Sequence, residues 1–442
     1  MDSSVGALPL RHRSLVAADE RRPLPHLPRN YPSSPLTSPV TSPSSKPAVA
    51  LIWDDATRLG GVNTWLFQCV DRLPSRGLDA WVVDLGESEC GQVQVSRWRN
   101  RILTLRRTRW ESARAFRLRL RREFTVRNIQ LLLFQEHRFG EDVLDALPPG
   151  FPAANVLHID RPDPRYYRLA AELDPRLAAQ FCVSPRIRDT LLPHLPSARH
   201  AHIHYLPLGV ELPPSLPPRP LGGPLHLVYA GRIVQAQKRV RDLAPFLAAL
   251  DAAHLDWELD VYGGGAELET LRADLQPWSA SGRARVHGSV PQEEVGSALA
   301  QAHVLLLFSD FEGLPLVLLE AMARSVVPVV TRVPSGVSEI LAHNRDALLF
   351  AIGDTADAAR QVLRLSREPG LFNHLADGAR RTAAGFDLEP CLDAYAAKLL
   401  PLASPLPSSN LPSVFDSRPR SWRARLADVL PSRHPPRGAF SA

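Results

Sequence analysis

The segment HVLLLFSDFEGLPLVLLEAMARSVVPVVT (303–331) decides the fold. Two short apolar runs, 303–309 and 326–331, flank a stretch with helix-forming composition, and Glu312-Gly313-Leu314-Pro315 separates the first run from that stretch. Short, continuously apolar strands that alternate with helices indicate a parallel sheet that is covered on both faces. The segment therefore predicts a strand, a loop, a helix and a second strand parallel to the first.

The same alternation extends over most of the chain, in two series. The first series contains strand candidates at 48–54, 80–85, 129–135, 155–160 and 179–184. The second contains strand candidates at 224–231, 257–263, 284–288, 303–309 and 326–331. Between them, residues 207–224 are rich in Pro and Gly and are interpreted as a hinge. We predict an α/β protein with two doubly wound, Rossmann-like domains that face each other across a cleft.

The predicted organisation has four parts: a disordered tail at 1–47, an N-terminal domain at 48–208, a C-terminal domain at 209–400 and a second tail at 401–442. Both tails are dense in Pro, Ser and Arg, so they bury too little apolar area to offset their chain entropy. A last helix at about 386–400 is a candidate for packing back on the first domain.

Composition excludes several classes of protein. Of the 442 residues, 45% are hydrophobic and 22% are charged, which is typical of soluble globular proteins. No apolar run approaches the roughly 18–20 residues of a membrane span, and no apolar segment of a secretory signal follows the basic N-terminus. The four cysteines form no Cys-x-x-Cys pair, which favours a reducing compartment over a disulfide framework or a zinc site. We predict a cytoplasmic protein.

The loop and helix at 312–320 give the most informative candidate site. Pro315 suits a first helical turn, so Gly313, Leu314 and the residues after them should present free N–H groups to an anion. Glu320 has apolar neighbours on every side of its helix, and a buried carboxylate without partners is costly. A ribose diol would satisfy that carboxylate. The alternatives are an exposed glutamate on one stripe of the helix, or an internal salt bridge.

Two cations follow the first strand of the second series, in YAGRIVQAQKRV (229–240). Arg232 and Lys238 at the end of a parallel strand suit a diphosphate, whose charge needs partners in a partly desolvated cleft. Solvated surface residues are the alternative interpretation.

Weaker candidates also follow strands. Gly60-Gly61 could let backbone N–H groups approach a phosphate or a sugar, or could simply form a tight turn. Gly263 begins a Gly-Gly-Gly run after a strand, and Gly336 with Glu339 lies in VPSGVSEIL. His158 ends the strand NVLHID, although a lone histidine is more often structural than catalytic.

Together these segments resemble the family-4 retaining glycosyltransferases. The resemblance covers about 48–400 and rests on the order and spacing of several motifs: Gly-Gly-Val (60–62), VLHID, FCVSPRIRDTLL (181–192), PLGVE, YAGRIVQAQKR, VYGGGAELETL, VHGSV, SDFEGLPLVLLEAMA and SGVSEIL. It implies the B-type glycosyltransferase fold, with the acceptor mainly on the first domain and a nucleotide-sugar donor on the second. Transfer would retain the anomeric configuration, and neither a cofactor nor a divalent metal ion is expected.

The resemblance also implies roles for individual residues. His158 and Glu312 would be the catalytic residues next to the transferred sugar, with Glu312 bonded to its hydroxyls. Glu320 would contact the ribose. The remaining donor-binding residues, most of them around the diphosphate, would be Gly61, Arg232, Lys238, Gly263, Gly313, Leu314 and Pro315. The chain departs from the family pattern by Pro207-Leu208-Gly209 in the hinge and by one extra residue between Gly231 and Lys238.

An arginine-rich segment at 97–127 holds twelve arginines against two glutamates, with Phe116, Leu120 and Phe124 interspersed. A basic amphipathic helix could lie on an anionic membrane, each cation contributing about 1 kcal/mol, and a solvated arginine-rich face is an equal alternative. Binding of nucleic acid is disfavoured because no recognisable motif accompanies the charge. Three further alternatives remain open: an inactive nucleotide-sugar-binding protein, a scaffold protein with an idle cleft, and a nucleotide-sugar epimerase.

Overall fold

The computed structural model describes residues 46–53, 60–85, 96–105, 107, 110–136, 140–216 and 222–403. The two predicted tails lie outside these residues except for a few positions at their inner ends. Thirteen strands are described: β1 Ala48–Trp53, β2 Asp79–Asp84, β3 Ile102–Thr104, β4 Ile129–Gln135, β5 Ala153–Leu157, β6 Ala179–Cys182, β7 Ile203–Tyr205, β8 Leu225–Ala230, β9 Trp257–Tyr262, β10 Ala284–Gly288, β11 Val304–Leu307, β12 Val327–Thr331 and β13 Leu348–Phe350.

These strands form two separate parallel sheets. The first has the order β3-β2-β1-β4-β5-β6-β7 and the second the order β10-β9-β8-β11-β12-β13. In each sheet the chain builds outward from a central strand and then crosses to that strand's other side, which is the doubly wound arrangement. The predicted fold class is therefore confirmed. In such sheets ligands bind beyond the carboxyl ends of the strands, near the point where the order reverses.

The described residues also form fifteen α-helices: α1 Gly61–Arg72, α2 Ala113–Val126, α3 Gly140–Ala146, α4 Pro164–Leu173, α5 Pro185–Leu191, α6 Gln235–Lys238, α7 Leu243–Ala252, α8 Leu268–Asp274, α9 Gln276–Ala280, α10 Gln292–Gln301, α11 Leu316–Ala323, α12 Val337–Ile340, α13 Thr355–Arg367, α14 Leu371–Ala383 and α15 Leu388–Leu399. Strand sequences such as IQLLLFQ of β4 are buried at every position, because helices cover both faces of the sheet.

The last helix, α15, packs against the first sheet. The Tyr395 hydroxyl donates to the Leu206 carbonyl over 3.0 Å, and its ring lies 4.8 Å from that of Trp65. The hinge meets the start of this helix, since Val210 N donates to Phe386 O over 2.8 Å and Leu388 N donates to Val210 O over 3.0 Å. The residue boundaries that we assigned to the two domains remain predictions.

Three strands were missed by the sequence-based prediction, namely β3, β7 and β13. Each has three residues and pairs along one edge only, so none produces an apolar run of recognisable length. Of these, β3 lies inside the arginine-rich segment 97–127, which is therefore not one continuous helix.

Candidate functional site

A buried ion pair lies beyond the carboxyl ends of β8 and β11. Lys238 Nζ is 2.5 Å from Glu312 Oε1, and the two residues are 9% and 5% exposed. The Ser309 hydroxyl donates to the same carboxylate oxygen over 2.5 Å. Thr331 in turn donates from Oγ1 to Ser309 O over 2.7 Å, which ties the loop to β12. Lys238 and Ser309 therefore both donate to the same oxygen, Oε1, of Glu312.

Gln237 joins the segment after β8, which carries Arg232 and Lys238, to the loop that carries Glu312. The sequence did not single out this buried amide. Arg232 Nη2 donates to Gln237 Oε1, and Gln237 Nε2 donates to Phe311 O over 3.1 Å. The Gln237 carbonyl also accepts from Asp310 N over 2.8 Å. Gln237 belongs to the stretch that is one residue longer than the common form, and that insertion was the only signal in the sequence.

The two sheets meet through the backbone of Gly313. Asp160 N donates to Glu312 O over 3.1 Å, and Ile159 and Gly313 form an isolated antiparallel bridge. A Cβ atom at Gly313 would overlap the carbonyl oxygen of His158. Only glycine permits this approach, which brings His158 of the first sheet to the Glu312 loop of the second.

The helix α11 starts directly after this junction. Its N-cap is Pro315, which provides no capping side chain, so the first N–H groups of the helix have no side-chain acceptor. Leu314 is buried beside it. The helix α1 is similar, because its N-cap Gly60 offers no side chain either. The two helix starts are close, since a Cβ atom at Gly61 would lie 3.4 Å from Leu316 Cβ. Two uncapped helix starts therefore come close together, an arrangement that favours an anion.

His158 has one satisfied and one unsatisfied ring nitrogen. Its Nε2 is 2.8 Å from Gln135 Oε1, while the buried Nδ1 has no hydrogen-bond partner among the described residues. Burial lowers the pKa of His158 to about 3. The imidazole is therefore neutral at physiological pH, so it can accept or donate a hydrogen bond but carries no positive charge.

Glu320 lies one turn further along α11. Its Oε1 accepts from Gln292 Nε2 over 2.9 Å, and Arg324 Nη1 donates to its main-chain carbonyl over 3.0 Å. Burial raises the pKa of the Glu320 carboxyl, and the charge of Arg324 and the hydrogen bond from Gln292 oppose that rise. Neither sequence alternative, an exposed stripe or a side-chain salt bridge, describes this environment.

Gly263 has a packing role. It adopts φ +138°, and a Cβ atom there would overlap the backbone carbonyl of Gly231. Gly263 N donates to Gly288 O over 2.8 Å, and Gly231 N donates to Tyr262 O over 3.0 Å. The glycine run thus allows the loops after β8, β9 and β10 to lie against one another. No described contact joins Gly263 or Glu320 to the Lys238–Glu312 pair.

A second set of hydrogen bonds joins the two sheets beside the site. Ser184 Oγ lies 2.8 Å from Ser335 Oγ, and Glu339 accepts from Arg186 N over 2.6 Å and from Gly336 N over 2.7 Å. Ser184 and Arg186 lie at the start of α5, whereas the other three belong to the loop and helix after β12. Glu339, a weak candidate in the sequence, is therefore occupied in holding the two halves together.

The apolar face of the arginine-rich helix α2 is covered. Leu120 and Phe124 are buried in the core of the first sheet, which explains the amphipathic pattern without a membrane. The outer face carries Leu118, 54% exposed, and Val126, 42% exposed, and Trp110 before the helix is 79% exposed. No helix within the described residues is long and apolar enough to cross a membrane.

Within the described ranges, no group of three or more His, Cys, Asp or Glu side chains is arranged to hold a metal ion. The expectation of a metal-independent reaction stays a prediction.

Comparison with known proteins gives a family match for the second sheet. Residues 224–368 match the family model described as Glycosyl transferases group 1. The N-acetyl-alpha-D-glucosaminyl L-malate synthase of Bacillus anthracis is 32% identical over 145 residues, which are 33% of this chain and 37% of that protein. The lipopolysaccharide 1,6-galactosyltransferase of Salmonella typhimurium is 28% identical over 197 residues, 44% of this chain and 54% of that protein. The chain thus spans between about a third and a half of the length of these relatives.

Solved structures with the same fold cover most of the chain. The Anabaena protein HepE, in complex with UDP and glucose, has a TM-score of 0.66 at 14% identity and covers 79% of this chain and 98% of its own. The lipopolysaccharide outer core galactosyltransferase WaaB has a TM-score of 0.58 at 18% identity, covering 80% and 99%. The finer assignment to the family-4 retaining enzymes remains a prediction. Residues 224–368 are thus similar to the glycosyl transferases group 1, and the chain has the two-sheet fold of these solved structures.

Proposed function

We propose that the protein is a hexosyltransferase-type glycosyltransferase, which moves a sugar from a nucleotide-sugar donor to a glycan or lipid-linked acceptor. The anomeric configuration would be retained and no metal ion would be required. The observation that carries this proposal is the buried Lys238–Glu312 pair at the junction of the two sheets. A cation for the diphosphate and a carboxylate for sugar hydroxyls would then stand next to each other where the diphosphate joins the sugar.

Charge stabilisation is the main chemical contribution expected of this site. The Lys238 ammonium has three N–H donors, so it can hold Glu312 and still donate to a leaving diphosphate. The uncapped starts of α1 and α11 would add partial positive charge at the same place. Together these groups would take the part that a divalent cation plays in other transferases.

Proton transfer is proposed not to depend on a protein base. Because its pKa is about 3, His158 is a weak base at neutral pH and is better suited to hydrogen bonding with the sugar. The leaving phosphate would instead accept the proton of the acceptor hydroxyl on the same face of the sugar, which is consistent with retention.

Nucleotide binding and donor hydrolysis test this proposal directly. Purified protein is titrated with UDP, GDP and ADP and their hexose conjugates, with Mg²⁺ or with EDTA, and the anomer of the product is followed by NMR. We expect one base to bind in EDTA, slow hydrolysis of its hexose conjugate with retention, and a large loss of affinity in Lys238→Met. Arg241→Met is the matched control, since the exposed Arg241 pairs with Glu267 outside the site.

The outcomes separate the alternatives. Binding without turnover, in the presence of candidate acceptors, would identify an inactive nucleotide-sugar-binding protein. No binding of any nucleotide would favour the scaffold alternative, and an inverted product would refute retention.

A contact with anionic membrane is a second part of the proposal, since many acceptors of such enzymes are lipid-linked. It is supported by the exposed Trp110, Leu118 and Val126, which alternate with the exposed Arg114 and Arg122 on the outer side of α2. Co-sedimentation with phosphatidylglycerol vesicles, but not with phosphatidylcholine vesicles, is expected, and Leu118→Ser with Arg122→Ser should weaken it. Equal sedimentation with both lipids, or with neither, would remove this contact. The cytoplasmic location likewise remains a proposal.

A further inference from the structure

Gln292 is the first residue of α10 and lies outside the motifs that carry the resemblance. It follows β10 by a short turn and reaches across to α11, where its Nε2 donates to Glu320 Oε1 over 2.9 Å. Among the described residues, no group donates a hydrogen bond to the other carboxylate oxygen, Oε2. One oxygen of Glu320 is therefore fixed by the protein, and the second is available to a ligand.

The charged groups around Glu320 explain why a neutral donor is useful here. Burial raises the pKa of the carboxyl, the Glu211 carboxylate adds to that rise, and Arg324 opposes it with its charge. The hydrogen bond from Gln292 also lowers the pKa. An amide donor orients the carboxylate without cancelling its charge, so the free oxygen remains a strong acceptor for hydroxyl groups.

We propose that Gln292 is a positioning residue of the donor site, which orients the Glu320 carboxylate so that Oε2 faces the 2′-hydroxyl of the nucleotide's ribose. The proposal rests on the donor site described above. It makes Gln292 responsible for much of the preference for ribonucleotides over deoxyribonucleotides, although Gln292 itself need not touch the ligand.

The expected effect follows from the strength of a hydrogen bond to a charged acceptor. Loss of the 2′-hydroxyl should weaken binding to the wild-type protein by about 10- to 100-fold. In Glu320→Ala the two nucleotides should bind equally. In Gln292→Met, which keeps the length of the side chain but cannot donate, the preference should shrink to about 2- to 5-fold.

Isothermal titration of the full chain tests this with UDP, GDP or ADP, whichever binds, and its 2′-deoxy form. The variants are Gln292→Met, Glu320→Ala and their combination, with Gln301→Met as the control because Gln301 ends the same helix on an exposed face. We expect Gln292→Met to change the affinity for the ribonucleotide and to leave that for the deoxynucleotide unchanged. The double variant should match Glu320→Ala, since Gln292 acts through that carboxylate.

The pH dependence of ribonucleotide affinity is a measurement that a merely structural role of Gln292 would not change. Binding of the ribonucleotide should weaken as the pH falls through the pKa of Glu320, because the protonated carboxyl is a poorer acceptor. In Gln292→Met this loss should begin at a higher pH, since one of the groups that lower the pKa has been removed.

Three results would overturn the proposal. Equal weakening of both nucleotides in Gln292→Met would mean that the residue only supports the fold. A ribose preference that survives Glu320→Ala would disconnect Glu320 from the ribose while leaving the donor site intact. Absence of binding by all three nucleotides in the wild-type protein would refute the proposed function itself, and Gln292 as a positioning residue with it.

Discussion

Replacement of Glu312 by glutamine should destabilise the protein and, at the same time, tighten its binding of a nucleoside diphosphate. The carboxylate lies 2.5 Å from Lys238 Nζ and neutralises it, and both side chains are almost fully withdrawn from water. Glutamine keeps the shape and one hydrogen-bond acceptor but removes the charge. The variant therefore leaves a buried ammonium group without a counterion.

The size of the loss follows from this burial. Removing one partner of a buried ion pair costs about 3–5 kcal/mol, and we take the lower value because glutamine can still accept from Lys238. For a chain of this size that loss corresponds to a fall in Tm of about 4 °C. A diphosphate would supply the missing negative charge, and recovery of half of the loss would tighten its Kd about tenfold.

Differential scanning fluorimetry measures the first effect, and titration with UDP, GDP and ADP measures the second. The control is Glu267→Gln, which breaks the exposed pair with Arg241 and should cost at most about 1 kcal/mol. Donor hydrolysis should fall in Glu312→Gln even though the nucleotide binds more tightly, because the contact with the sugar hydroxyls is weakened. An unchanged Tm, or weaker nucleotide binding, would show that Glu312 does not neutralise Lys238 as the geometry indicates.

Three further substitutions test the surroundings of this pair. Gly313→Ala should abolish donor hydrolysis, because the added methyl group overlaps the carbonyl of His158 and forces the sheets apart. The control Gly385→Ala should retain wild-type turnover, since nothing lies within 4 Å of a Cβ atom at that position. Glu320→Gln should raise the Tm at pH 7 in the absence of ligand, since burial raises the pKa of that carboxyl from its ordinary 4.5 and disfavours its ionised form. The gain in Tm should vanish as the pH falls below 4.5. A lower Tm of the variant at pH 7 would contradict this prediction. Glu339→Gln weakens the charge-assisted bond from Arg186 N across the sheet junction and the local bond from Gly336 N, so it should raise KM for the donor more than it lowers kcat. An increased radius of gyration in X-ray scattering should accompany this, and unchanged KM and scattering would disprove a role in closure.

Periodicity and apolar runs predicted the sheets well, because each long strand is buried on both faces. The strands β4 (129–135) and β10 (284–288) have the bounds expected from the sequence. The short edge strands β3, β7 and β13 could not be predicted, since three residues paired on one side leave no distinctive pattern.

For the site, the sequence indicated which residues follow the strands but not which of them meet. Lys238 and Glu312 are 74 positions apart, and their contact depends on β8 and β11 being neighbours in the sheet. The supporting amides Gln237 and Gln292 were missed because they are uncharged and act on distant residues. The amphipathic pattern of α2 suggested a membrane role. The apolar face of this helix packs into the core of the first sheet, and that packing explains the pattern.

The energetic cost of the site is itself an argument about function. The chain keeps a buried ion pair in Lys238–Glu312, a carboxyl with a raised pKa in Glu320, an unsatisfied nitrogen on His158 and an uncapped helix start at Gly61. Substitutions that relieve such features commonly stabilise a protein by about 0.5–2 kcal/mol each. A scaffold protein with an idle cleft would have no use for these four features. A diphosphate suits the cation and the uncapped helix start, and hydroxyl groups suit the carboxyl and the histidine nitrogen, so these features together favour a donor site over a scaffold.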